Sequence, residues 1–147
     1  IITATERDPE CAAFTSLDDP QAEHTTADAI TLSARRIAEI LDCKFAVAYT
    51  KTGSTAKRLS RDRPHCAILA ATPDANVANK MALYWGVAPV ITVDISHFHD
   101  MLDKAEALCV RHGAQDGDRI IIIAGYPFGR RGKTNTLKIS RIGAKGE

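Results

Sequence analysis

A chain of 147 residues, 45% of them hydrophobic, can bury a core of its own and is sized for one domain. Its formal charge of +1, with both signs interspersed, excludes a general attraction to nucleic acid or to an anionic bilayer, so any basic site has to be local. No apolar stretch approaches the ~20 residues that cross a membrane, and no basic region leads into an apolar run and cleavage site at the N-terminus. The expectation is a soluble cytoplasmic protein with no nucleic-acid and no membrane partner. Cys11, Cys43, Cys66 and Cys109 are widely spaced with no C-x-x-C pair, which argues for free thiols rather than zinc or redox chemistry.

In chain order, residues 1–24 hold two prolines and several acidic residues without periodicity, as in an incoming connector. The first residue is Ile1 rather than Met, so the chain is expected to be part of something longer. Thr25 and Asp28 have capping-box spacing, and Ile30, Ala34, Ile37 and Leu41 then recur at helical intervals. "KFAVAYT" (44–50) is a short β-forming run, followed by "KTGST" and a helical pattern that Pro64 stops. "CAILAAT" (66–72) predicts the next strand; Thr72 is expected to cap a helix with Pro73 at its first position and Val77 and Met81 on its buried face. "VAPVITV" (87–93) is a third strand, after which Asp94 or Ser96 is expected to cap a helix lined by Leu102, Ala105, Leu108 and Cys109 and ended by Gly113. "DRIIIIA" (118–124) is the fourth.

These four runs are apolar throughout, as when helices cover both faces of a parallel sheet. The last run, "TNTLKISRI" (134–142), alternates instead, with Leu137, Ile139 and Arg141 facing one way and Lys138 and Ser140 the other. It follows the fourth strand with no room for a helix. The prediction is an α/β fold: a three-layer αβα sandwich on a mostly parallel five-stranded sheet with an antiparallel C-terminal edge strand.

Ligands of open parallel sheets bind beyond the carboxyl ends of the strands, and two loops there carry chemistry. In "TKTGST" (50–55), Thr50, Lys51, Thr52, Ser54 and Thr55 surround Gly53 ahead of a helix N-terminus, whose free amides and dipole suit a phosphate. Ordinary N-capping is the plainer alternative, but one hydroxyl suffices for it. The second loop, "GYPFGRRGKTNT" (125–136), approaches the pattern G-x-x-x-x-G-K-[ST] through Gly132, Lys133 and Thr134; Pro127 occupies the first glycine's place and a strand follows, so an ATP-binding loop is not expected. Gly129 and Gly132 allow mobility, and Arg130, Arg131 and Lys133 can reach phosphate oxygens. A solvated hairpin tip is the alternative here.

His97 and His99 with Asp94 and Asp100 read as an exposed turn rather than a metal cluster, and Trp85 as core or interface. No nucleophile elbow and no G-x-G-x-x-G is present. No catalytic residue is predicted.

"TKTGSTAKRLSRDRP", "CAILAATPDANVANKMALYWGVAPV", "GDRIIIIAGYPFG" and "GKTNTLKI" together resemble the C-terminal α/β domain of pyruvate kinase, in the same order and at matching spacing over residues 25–142. The resemblance implies that 25–147 is the regulatory domain and 1–24 the connector with the end of the preceding barrel domain's last helix. Phosphoryl transfer from phosphoenolpyruvate to ADP, with its magnesium and potassium, is implied for that barrel, leaving no cofactor and no activity in this chain alone. It further implies a homotetramer, and an allosteric phosphorylated effector gripped by Thr50, Lys51, Thr52, Gly53, Ser54 and Thr55 and covered by the 125–136 loop. The "GYPFG" form is similar to bacterial-type enzymes. With no counterpart to the Trp and Arg that hold the second phosphate in animal and yeast forms, a sugar monophosphate or AMP is at least as well implied as fructose 1,6-bisphosphate. A free-standing phosphometabolite-binding module and a vestigial site that only builds the oligomer remain as alternatives.

Overall fold

The structure, a computed structural model, describes residues 8–9, 23–129 and 133–144. The connector expected at 1–24 lies almost wholly outside these, as do Arg130, Arg131 and Gly132. Among the described residues from 23 onward the elements are, in order, α1 (Thr26–Leu41), β1 (Phe45–Tyr49), α2 (Ser54–Asp62), β2 (Ala67–Thr72), α3 (Ala75–Met81), β3 (Val87–Ile91), α4 (Phe98–Arg111), β4 (Arg119–Ala124) and β5 (Thr136–Arg141). The strands form one sheet in the order β3-β2-β1-β4-β5. The first four run parallel, with Val47 level with Leu69 and with Ile122. β5 is antiparallel to β4 and forms the edge, as its alternation predicts.

Alternate residues of each central strand feed two cores. Ala46 and Ala48, Ile68, and Ile121 and Ile123 pack with Ala34 and Ala38 of α1 and Leu59 of α2. Phe45 and Val47, Leu69 and Ala71, and Ile120 and Ile122 pack with Met101, Ala105, Leu108 and Cys109 of α4. α3 joins the first layer through Met81, against Ala56 and Ala70. Among the described residues, α1, α2 and α3 pack on one face of the sheet and α4 on the other. Cys43, Cys66 and Cys109 are buried free thiols, and burial pushes Cys66 and Cys109 up to about 12.

α1 begins as expected: the Thr25 hydroxyl accepts from the Asp28 amide (3.2 Å) and donates to the Asp28 carboxylate (2.8 Å). Two expected caps are corrected. Thr72 ends β2 rather than capping α3, and Pro73 precedes the helix; Asp74 is the cap, accepting from the amides of Asn76 (2.8 Å) and Val77 (3.4 Å). A carboxylate two residues nearer the helix reaches its amides, whereas the Thr72 hydroxyl accepts only from Asp74 (3.3 Å). Neither Asp94 nor Ser96 caps α4; His97 holds the N-cap position and makes no side-chain bond there. Asp94 is engaged elsewhere, as described below. Trp85 is half exposed, with the Arg63 guanidinium 5.1 Å from its ring centre.

Candidate functional site

Parallel strands deliver their carboxyl ends to the same edge of a sheet. Here the chain steps outward from β1 to β2 to β3, then returns to place β4 on the other side of β1. The connections thus diverge between β1 and β4, which opens a crevice at that point. A cleft lies there, lined by Thr50, Lys51 and Thr52 of the β1–α2 loop, by Ser54 and Thr55 of the first turn of α2, from beyond β3 by Asp94 and Ile95, and from the β4–β5 loop by Gly125, Phe128, Gly129, Lys133 and Thr134.

The β1–α2 loop turns on Gly53, whose φ of +83° is left-handed and whose added Cβ would press on the Met81 side chain at 3.3 Å. Any other residue would be strained there. The turn is closed by the Gly53 amide donating to the Thr50 hydroxyl (2.9 Å), and α2 starts with Lys57 N–H bonding Gly53 C=O (2.9 Å). No side chain caps α2, and its first turn holds no acidic residue. Its first residues, Ser54 and Thr55, line the cleft, so the positive end of the helix dipole lies at the cleft wall. The hydroxyls that capping would have used do other things: Thr52 donates to Ser54 (3.1 Å), and Thr55 shares a buried 2.7 Å hydrogen bond with Thr134.

That Thr55–Thr134 bond joins the two loops across 79 residues of sequence. The β4–β5 loop is pinched at its base, where the Asn135 side chain accepts from Tyr126 N–H (2.7 Å) and donates to Tyr126 C=O (2.6 Å). A Cβ on Gly125 would collide with the Lys133 carbonyl, so glycine alone lets the two limbs of the loop approach. Tyr126 and Phe128 meet edge to face at 5.5 Å.

The cleft is electrically mixed. Lys51 donates to Asp94 (2.6 Å), which also accepts from the Ile95 amide (3.1 Å). The Lys51 bond holds the Asp94 carboxyl below its ordinary range against an opposing push from burial. Burial pushes the Tyr49 phenol well up, and its hydroxyl donates to Met101 C=O (3.1 Å). Among the described residues the lining holds no His, Cys or Glu. Amides at a helix N-terminus, hydroxyls and ammonium groups are the group types that can accept an anion.

Of the residues expected from the sequence, Thr50, Lys51, Thr52, Ser54, Thr55, Gly129, Lys133 and Thr134 line one cleft and Gly53 shapes it. Arg130, Arg131 and Gly132 lie outside the described residues. The sequence reading missed two residues. Asp94 was expected to be a cap, although it lies three residues beyond the carboxyl end of β3, at the ligand edge of the sheet. Asn135 had a weaker signal, an Asn between two Thr in a hairpin, where side-chain to backbone bonds are common.

Residues 28–140 match the family described as pyruvate kinase, alpha/beta domain. The chain is 38% identical over 143 residues to a pyruvate kinase of Methylorubrum extorquens, covering 97% of this chain and 30% of that protein. To the pyruvate kinase of Lactococcus lactis it is 39% identical over 119 residues, 80% of this chain and 24% of that one. Among solved structures it is similar to Cryptosporidium parvum pyruvate kinase in complex with ADP, with a TM-score of 0.74 and 29% identity over 89% of this chain and 26% of that chain. The chain spans 30% or less of the length of these relatives.

Proposed function

The chain belongs to the pyruvate kinase alpha/beta domain family, and from that premise we propose that it is the effector-binding and assembly domain of a cytoplasmic pyruvate kinase. In this reading the phosphoryl transfer from phosphoenolpyruvate to ADP, with its magnesium and potassium, takes place in a separate catalytic barrel. Among the described residues here no group of three or more His, Cys, Asp or Glu could hold a metal. The cleft between β1 and β4 receives the phosphate of a small metabolite, a sugar monophosphate, AMP or fructose 1,6-bisphosphate, which is bound and not consumed.

One observation carries the reading: α2 is uncapped although hydroxyls crowd its N-terminus, and that bare helix end opens into a cleft that both loops line. A phosphate there would accept from the leading amides and from Thr52 and Ser54, with Lys51 and Lys133 supplying charge. Regulation needs a ligand that contacts two states differently. An anion between the β1–α2 and β4–β5 loops does so by fixing the latter, and that loop runs directly into β5. Among the described residues β5 is the edge strand of the sheet, the natural place for another copy in a tetramer to sense the change.

Calorimetric titration of the intact pyruvate kinase carrying this chain, with glucose 6-phosphate, ribose 5-phosphate, AMP and fructose 1,6-bisphosphate, tests the reading. At least one should bind, and Thr52→Ala with Ser54→Ala should weaken it roughly ten-fold or more, the loss expected for hydrogen bonds to a charged group. Absence of binding by all four refutes it.

A further inference from the structure

Asp94 is an anomaly in a cleft otherwise furnished for anions. A carboxylate beside a phosphate site repels the ligand, yet this one is held in place rather than swung away. Its Oδ1 is fixed by the Ile95 amide (3.1 Å) and its Oδ2 by Lys51 Nζ (2.6 Å). The pair spans the end of β2, because Lys51 follows β1 and Asp94 leaves the segment after β3. Its closure is therefore a property of the sheet order and not of one loop. The Asp94 side chain is 58% exposed and that of Lys51 31%, so both can turn toward a ligand without disturbing the core.

We propose that Asp94 is the specificity-determining residue of this cleft: its pair with Lys51 is given up only to ligands that offer Asp94 hydrogen-bond donors in exchange. This rests on the anion-binding reading above and adds to it the residue that discriminates among its ligands. A bare phosphate that takes Lys51 leaves a carboxylate unpaired next to its own negative charge, which disfavours it. A phosphate carried on a polyol, such as a sugar or a nucleoside ribose, brings hydroxyls that donate to the freed Asp94, so both partners of the broken pair are satisfied again. The outcome is selection by penalty on the wrong ligand as much as by attraction to the right one.

The test compares inorganic phosphate and glucose 6-phosphate as probes on the intact pyruvate kinase and on its Asp94→Asn and Asp94→Ser variants, with thermal melting to establish folding. Both variants should bind inorganic phosphate about ten-fold more tightly than the parent, and the ratio of sugar phosphate to phosphate affinity should shrink by at least that factor. Unchanged or weaker phosphate binding in both variants, while the parent binds glucose 6-phosphate, overturns this inference and leaves the anion site standing. If neither probe binds the parent or any variant, the site itself falls together with the inference.

Discussion

Asp28 shows how one side chain can serve two levels of structure. Its capping role is readable from the Thr25 spacing, but it is also 1% exposed and receives Arg58 (3.2 Å) and Arg61 (2.9 Å) from α2 on one oxygen. Burial by itself raises this carboxyl; the Thr25 bond and the guanidinium groups of Arg61 and Arg58 outweigh that and hold it at about 2. Because the folded value lies below the unfolded 3.8, the stabilisation is complete above pH ~4 and is lost as pH falls toward ~2. Asp28→Asn should therefore cost about 2–3 kcal/mol at pH 7, less than a fully enclosed pair because both arginines reach solvent. It should also flatten the dependence of stability on pH between ~2 and ~4. Urea unfolding across that range measures both, and a slope equal to the parent's would show that Asp28 is not the group responsible.

At the level of elements, α2 links core and cleft. Leu59 and Ala56 are fully buried beneath it, and the loop at its head rests on Met81 of α3 through Gly53. Trimming Met81 removes the support under the turn that presents the amides. Met81→Ala should destabilise by roughly 2–4 kcal/mol and weaken phosphate binding several-fold. Leu108→Ala, in the α4 layer on the opposite face, should cost a similar amount in stability while leaving binding within two-fold. Denaturant melts paired with titrations of the two variants separate the effects; equal losses of affinity would mean that α3 does not position the loop. Strand pairing explains the misplaced cap. Thr72 and Asp74 are both acceptable N-cap residues, and the choice fell to Asp74 because Thr72 must complete β2 opposite Ile91.

For the molecule as a whole, strand order sets the hierarchy of stability. β1 and β4 are flanked by strands on both sides, with Val47, Ile121 and Ile122 fully buried, whereas β3 and β5 are edges. Amides of β1 and β4 should exchange with solvent only through global unfolding, and those of β3 and β5 at least ten-fold faster. Hydrogen-exchange mass spectrometry reads this directly, and equal protection of edge and centre would contradict it. The same order governs what could be read from the sequence. Hydrophobic period, apolar strands and loop chemistry are local, so the helices, the parallel sheet with its antiparallel edge, and the hydroxyl-rich loop at the end of β1 followed from residues close together along the chain. The Thr55–Thr134 bond, the Lys51–Asp94 pair and the second role of Asp28 join residues 79, 43 and about 30 positions apart. Such contacts exist only once the strands have taken their order, because pairing across a sheet depends on which apolar run lies beside which, and runs as alike as "AILAAT" and "RIIIIA" do not declare their neighbours.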